Sequence, residues 1–188
     1  SHIAVLYFIV AFGFSKAITN YFAGKFANQI GRKNLLLIGW IFALPISFIL
    51  IFAKSWTLVI FANILLGISQ GLTWSSTVVM KIDLVGEKDR GFAMGINEFA
   101  GYLSVGIMAW LTAWVAQKYG IVPYPFYIGI AISILGLLIT LFCVKDTRMF
   151  VNKETQTNKI HISDNIFIET TFKNPTLSAV TQAGLINN

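Results

Sequence analysis

The chain has 188 residues, of which 56% are hydrophobic and 12% are charged, and its formal net charge is +6. Soluble domains carry about 25% charged residues, so this composition excludes an ordinary soluble domain and is typical of a membrane protein. The single Cys143 excludes an internal disulfide and a cysteine-based zinc site. Because His2 and His161 have no ligand neighbours at useful spacing, we expect neither a metal site nor a cofactor.

Apolar runs in the chain are long enough to cross about 30 Å of hydrocarbon as helices, which takes about 20 residues. Backbone groups in lipid must pair within their own segment, and these runs are too long for the strands of a membrane barrel. The sequence therefore predicts an all-α membrane protein with five transmembrane helices. In chain order the predicted helices are 3–23, 34–53, 56–80, 91–116 and 125–144.

Lysine and arginine are distributed unequally between the two ends of these helices. Only Lys54 and Lys118 flank one side, whereas the other side is strongly basic. Basic loops stay in the cytoplasm, so we predict that the basic side is cytoplasmic and that 145–188 forms a cytoplasmic loop. The clustering of lysine and arginine at helix ends indicates a lipid bilayer as partner and argues against nucleic acid as a partner. The basic side carries Lys25, Arg32, Lys33, Lys81, Lys88, Arg90, Lys145, Arg148 and Lys153.

A polar stretch, GKFANQIGRK at 24–33, separates the first two predicted helices. A phosphate-binding loop would need a glycine where Thr19 stands and a hydroxyl residue where Phe26 stands, so we exclude it. A solvated loop with no further role and a hinge on the cytoplasmic side both remain open.

The same stretch resembles the loop between helices two and three of the major facilitator superfamily. The family pattern is Gly-x-x-x-Asp-Arg-x-Gly-Arg-Arg/Lys, and Asn28 and Gln29 stand here in place of its Asp-Arg pair. The resemblance implies a gating loop that packs against the other half of a transporter, with neutral hydrogen bonds from Asn28. The two glycines permit close packing or positive φ, and the two cations can pair with lipid headgroups. The matching positions are Gly24, Gly31, Arg32 and Lys33.

The resemblance extends along the chain. LLGISQGLTWSS at 65–76 is similar to the family's fourth helix, and GEKDRGFAMG at 86–95 is similar to the loop before the fifth. The segments at 81–86, 95–106 and 174–188 look like a bacterial branch of the family, which implies the bacterial inner membrane. The chain is thus identified as helices two to six of the N-terminal half plus the central loop. We expect that an upstream helix and the C-terminal half lie outside this sequence.

The resemblance implies secondary active transport of a small solute by alternating access between two halves. We expect the half present here to be unable to transport alone. Proton coupling remains open, because Asn63 stands where many proton-coupled members have arginine and Ile107 stands where antiporters have proline. The alternative is a membrane-embedded interaction or assembly subunit without transport. With no catalytic set in the spans, we do not expect an enzyme.

Polar residues within the predicted helices are candidate substrate or coupling sites, because a charge at mid-bilayer costs about 2.5–3.5 kcal/mol. Lys16 and Glu98 lie equally far from the predicted cytoplasmic ends of their helices, which predicts a similar depth. Lys16 either snorkels or binds a partner. Glu98, beside Asn97, either binds the coupling proton, pairs with a cation or makes a structural hydrogen bond.

The third predicted helix holds further polar candidates. Asn63, Gln70 and Trp74 are assigned as substrate-facing, because the resemblance implies that this helix lines the central cavity. Gln70 and Trp74 share one helical face. Hydrogen bonds between helices are the alternative role. At the end of the same helix, Lys81 and Asp83 are predicted to be solvated boundary charges.

Overall fold

The computed structural model describes residues 2–85, 89–148 and 168–187. Within these residues the protein is helical and contains no strand, which confirms the prediction of an all-α membrane protein. Two residues of the predicted basic side, Lys88 and Lys153, lie outside the described part of the chain. The membrane helices are α1 (His2–Ile30), α2 (Arg32–Ile51), α3 (Trp56–Leu84), α4 (Arg90–Tyr119) and α5 (Tyr124–Phe142).

All five helices are long and apolar enough to cross a membrane. Their lengths differ from prediction chiefly at one end of the bundle, where α1 continues to Ile30 and α3 to Leu84. The prediction that the loop begins at Gly24 was therefore wrong, because α1 runs through that residue and ends at Ile30, just before Gly31. At Gly31 φ is 95° and ψ is 145°, a conformation that only glycine adopts readily.

The helices pack around α3, which lies against both α1 and α2, while α2 also packs against α5. The buried core is made of small and aliphatic residues on the first three helices: Ala23, Ala27, Leu35 and Leu72. Small residues let membrane helices approach closely, since lipid tails offer no hydrophobic incentive for association. The centre of the fold is thus a close contact between backbones.

Two glycines of α3 form the close contact with α1. A methyl group added at Gly67 would collide with the Ser15 hydroxyl, and one added at Gly71 would lie 2.8 Å from Thr19 Cβ. Both hydroxyls are satisfied within α1, since Ser15 donates to the Phe12 carbonyl at 3.0 Å and Thr19 donates to the Ser15 carbonyl at 2.7 Å. The close contact between α1 and α3 therefore contains Ser15 and Thr19 without leaving their hydroxyls unpaired.

Aromatic rings gather at the end of the bundle opposite Gly31. The rings of Tyr119 and Tyr124 are 5.5 Å apart, and those of Tyr124 and Tyr127 are 6.2 Å apart. The Lys118 ammonium lies 5.3 Å from the centroid of the Trp114 ring. Such residues are typical of the boundary between membrane and water.

A second compact unit follows the bundle, and it is described here by itself. It contains a π-helix, Glu169–Lys173, and helix α6, Pro175–Asn187. The Asn174 side chain caps α6 by accepting hydrogen bonds from the backbone N–H groups of Thr176 and Leu177, each at 3.1 Å. This part of the predicted loop at 145–188 is therefore helical, because the Asn174 cap stabilises a segment that has no spanning apolar run.

Candidate functional site

The turn between α1 and α2, centred on Gly31 and called the Gly31 turn, contains a buried arginine. Arg32 Nη1 donates to the Ala27 carbonyl at 3.1 Å, and Arg32 Nε lies 3.0 Å from Asp83 Oδ2 of α3. The two side chains are 5% and 8% exposed. Nε is poorly aligned for a hydrogen bond, so the contact is an ion pair. Thr147 also donates to Asp83 Oδ2, at 2.7 Å.

A second carboxylate closes over the outer side of the turn. Asp146 Oδ2 accepts from the backbone N–H of Lys33 at 3.3 Å, and Asp146 Oδ1 accepts from the backbone N–H of Arg148 at 2.9 Å. Arg148 Nη1 in turn donates to the Gln29 carbonyl at 3.2 Å. Lys33 Nζ donates to the Leu141 carbonyl at 2.8 Å. The segment after α5 is thus tied to the turn from both directions.

These contacts correct two expectations about the charges. Asp83 was predicted to be a solvated boundary charge, and Arg32 was predicted to be able to pair with lipid headgroups, but each is buried against the other. Sequence alone missed the pair because the two residues belong to different helices. Asn28 is exposed on the last turn of α1, and its side chain makes no hydrogen bond within the described residues.

A cavity of about 10 Å³ lies beside Arg32, lined by Ala23, Gly24, Ala27, Arg32, Leu35, Ser75, Ser76 and Val79. This volume is about the size of one water molecule. The buried Ser76 Oγ has no hydrogen-bond partner within the described residues, as is also true of Arg32 Nε. The Arg32 guanidinium, the Ser76 hydroxyl and a space about the size of one water molecule therefore lie together inside the turn.

A second polar region, called the polar edge, runs along α1 and α3 and comprises Lys16, Asn20, Gln70 and Trp74. Lys16 Nζ donates to Gln70 Oε1 at 3.3 Å and lies 5.6 Å from the centroid of the Phe12 ring. One turn along, Asn20 Oδ1 accepts from Ser75 Oγ at 2.8 Å. The structure thus brings Lys16 and Gln70 together, although their sequence spacing gave no sign of it.

Trp74 extends the polar edge toward α4. A methyl group added at Gly101 of α4 would lie 2.7 Å from Cη2 of the Trp74 ring. The Trp74 side chain remains partly open, with the residue 39% exposed. The ring is therefore supported on one side by a glycine and accessible on another.

Asn63, also a predicted substrate-facing residue, lies elsewhere. It is buried, and its Nδ2 donates to the Phe8 carbonyl of α1. This contact matches the alternative role, a hydrogen bond between two helices.

Between α3 and α4, polar side chains form a chain of hydrogen bonds. Lys81 Nζ donates to Asn97 Oδ1 at 2.6 Å, and Asn97 Nδ2 lies 3.5 Å from Glu98 Oε1. Asn97 is buried, whereas Glu98 is half-buried. Lys81 is therefore hydrogen-bonded across the contact between α3 and α4, and the prediction that it is a solvated boundary charge was wrong.

The register of α3 places Lys16 and Glu98 at different depths. Lys16 contacts Gln70, while the Glu98 neighbour Asn97 contacts Lys81. At 1.5 Å per residue, these two positions on α3 are about 16 Å apart. The prediction that Lys16 and Glu98 lie at a similar depth was wrong. Depth was counted from the predicted ends of the helices, and α1 continues well beyond Gly24.

Sequence reasoning missed three residues that contribute to these regions: Asn20, Asp146 and Thr147. Asn20 stands one helical turn after Lys16, which places both on one face of α1, and this signal was available. Nothing in the sequence connected Asp146 and Thr147 to their partners on other helices, because the separations exceed 50 residues. The hydrogen bond between Ser75 and Asn20 spans 55 residues and likewise gave no local sign. Within the described residues, no group of three His, Cys, Asp or Glu could hold a metal ion.

Comparison with known proteins places this arrangement in a family. The family model described as Major Facilitator Superfamily matches residues 1–187. An inward-open structure of the xylose transporter XylE from E. coli matches with a TM-score of 0.58 and 15% identity, covering 96% of this chain and 44% of that one. At that identity the likeness shows the fold alone.

Curated relatives agree. Multidrug resistance protein 2 of Bacillus subtilis (strain 168) is 26% identical over 142 residues, which cover 75% of this chain and 35% of that protein. Multidrug resistance protein 1 of the same organism is 23% identical over 143 residues, which cover 76% of this chain and 36% of that protein. The chain spans about a third of the length of these relatives. Because the family model matches nearly all of its residues, the chain belongs to the Major Facilitator Superfamily.

Proposed function

We propose that this integral membrane chain forms part of the N-terminal half of a secondary active transporter, which moves a small solute by alternating access. The observation that carries the proposal is the polar edge, where Lys16 and Gln70 meet on two membrane-spanning helices and Trp74 stands one helical turn after Gln70. Polar side chains inside a membrane are costly, and in transporters they mark the path of the substrate. The relatives named for multidrug resistance and the xylose transporter are consistent with a solute-binding edge in this chain.

In this proposal the Gly31 turn lies on the cytoplasmic side of the bacterial inner membrane and takes part in gating. Its two cations already have partners in this half, since Arg32 pairs with Asp83 and Lys33 donates to Leu141. Asn28 is exposed beside them. Asn28 is therefore the residue through which the turn would contact the second half, by neutral hydrogen bonds.

A proton is the coupling ion that we propose, and Glu98 is its site. Glu98 is half-buried on a membrane-spanning helix, within hydrogen-bond reach of the Asn97 amide. The Lys81 ammonium holds Asn97 by its oxygen, so the amide N–H group is directed toward the carboxylate. In this proposal Glu98 carries the coupling proton in one state of the cycle and releases it in another.

Uptake by the full-length transporter in proteoliposomes tests both proposals. We expect solute uptake that responds to an imposed pH gradient, and we expect Glu98→Gln to remove that response. Asp89→Asn is the matched control, because Asp89 is exposed at the start of the same helix. Unchanged pH-gradient dependence in Glu98→Gln would exclude this proton site. If no solute is taken up by the wild type, the alternative of an assembly subunit without transport gains support.

A further inference from the structure

The hydrogen-bonding capacity of the polar edge is strongly biased. Gln70 Oε1 already accepts from Lys16, and Asn20 Oδ1 already accepts from Ser75. The groups still able to bond are mostly donors, namely the remaining ammonium N–H groups, two amide NH2 groups and the Trp74 indole N–H. A donor-rich cluster is complementary to a ligand that supplies acceptors.

The charge of the polar edge also favours a ligand that supplies hydrogen-bond acceptors. Within the described residues, Lys16 has an amide oxygen and an aromatic ring as neighbours, and no carboxylate lies within ion-pair distance. Two of the described carboxylates, Asp83 and Asp146, contact the Gly31 turn instead. A cation on a membrane-spanning helix is costly until it meets an opposite charge, and the described residues supply only the Gln70 amide dipole and an aromatic ring.

The walls of the edge are apolar. The Phe12 ring lies beneath the Lys16 ammonium, and the Trp74 ring lies against Gly101. Aromatic faces of this kind accommodate the hydrophobic body of a ligand while the polar groups fix its charged end.

We propose that the polar edge binds the anionic group of the transported solute, so that the substrate is a small organic anion with an apolar body. Lys16 binds the anionic oxygens through charge-assisted hydrogen bonds, and Gln70 and Asn20 add amide donors. This inference rests on the proposed transport function. It adds the substrate class, and it assigns Lys16 to substrate binding and not to coupling.

The first experiment measures ligand-induced thermal stabilisation of the full-length transporter in detergent. The probes are matched sets on common scaffolds, each an anion, a neutral amide and a cation, beginning with benzoate, benzamide and benzylammonium. We expect stabilisation only by anions. Stabilisation by neutral or cationic members that persists in Lys16→Gln overturns the inference, and so does the failure of every anion.

Three variants separate binding from folding. Lys16→Gln should weaken anion binding roughly tenfold to hundredfold, as for a lost charge-assisted hydrogen bond, and Lys16→Arg should retain part of it. Gln70→Glu keeps the shape of the side chain but places a carboxylate against Lys16. We expect it to fold normally and to lose anion binding. Undiminished binding in Gln70→Glu would contradict the assignment.

Lys25→Gln is the matched control, because Lys25 lies on the same helix and its ammonium is 5.9 Å from the centroid of the Phe26 ring. We expect it to bind anions as the wild type does. Anionic lipid is the other source of such a group, so phosphatidylglycerol is titrated in parallel. If it alone stabilises through Lys16 and no soluble anion competes, the substrate assignment fails.

Uptake of the stabilising anions in proteoliposomes then distinguishes a failure of the proposed anion site from a failure of the proposed transport function. Transport of a neutral or cationic solute that is unaffected by Lys16→Gln refutes the anion site and leaves the transporter assignment intact. Lack of transport for every charge class refutes the transporter assignment itself.

Discussion

The Gly31 turn and the polar edge both place cations within the helical bundle, but they compensate the charge in different ways. At the turn, Arg32 faces the carboxylate of Asp83, so charge is balanced inside the protein. At the edge, Lys16 faces the uncharged amide of Gln70. A balanced pair holds structure together, whereas an unbalanced cation leaves binding capacity for a partner outside this chain. The comparison separates residues that maintain the turn from residues that we propose bind a solute.

The largest effect should follow from breaking the balanced pair. Asp83→Asn leaves the Arg32 charge buried without a counter-charge, which costs about 3–5 kcal/mol in comparable sites. We expect a marked loss of stability in thermal unfolding of the full-length protein. The double variant Arg32→Gln with Asp83→Asn should recover much of it, because no charge is left unpaired. Equal losses in the single and double variants would show that the pair is not a balanced unit.

Gly31→Ala should have an intermediate effect on the same measurement. Its φ of 95° strains any side chain, and a methyl group there would collide with the Asp146 carboxylate. Residues forced into such conformations cost about 1–3 kcal/mol. Gly24→Ala is the matched control, because Gly24 is helical with open space around it, and alanine there should be neutral or slightly stabilising. Similar destabilisation by both changes would contradict this account of the turn.

Asn28→Asp should have the smallest effect on stability. Asn28 is exposed and lacks a hydrogen-bond partner within the described residues, so the added charge should change unfolding by less than about 0.5 kcal/mol. The change restores the acid of the family pattern, and its consequence should appear in the transport rate, where the second half is engaged. A large loss of stability without a change in rate would place Asn28 in the structure of this half.

The two regions also differ in how far the sequence anticipated them. Local signals, namely glycine spacing and positive charge, are sufficient to identify Gly31, Arg32 and Lys33 as part of a turn. Their partners Asp83 and Asp146 escape such signals, since an acid that lies 113 residues from Lys33 in sequence gives no local sign of contact. For the polar edge, polarity within apolar helices singles out each of Lys16, Gln70 and Trp74. Their grouping depends on the parallel register of α1 and α3.

The sequence by itself determined the membrane class, the number of spanning helices and the family, because hydrophobic length and glycine-rich motifs are written along the chain. The tertiary structure decided how each charge is compensated. The close contact at Gly67 and Gly71 sets which residues of α1 lie beside which residues of α3. Among the described residues, that register places Arg32 beside a carboxylate and Lys16 beside an amide, because the balance of charges depends on distances between helices that no local pattern records.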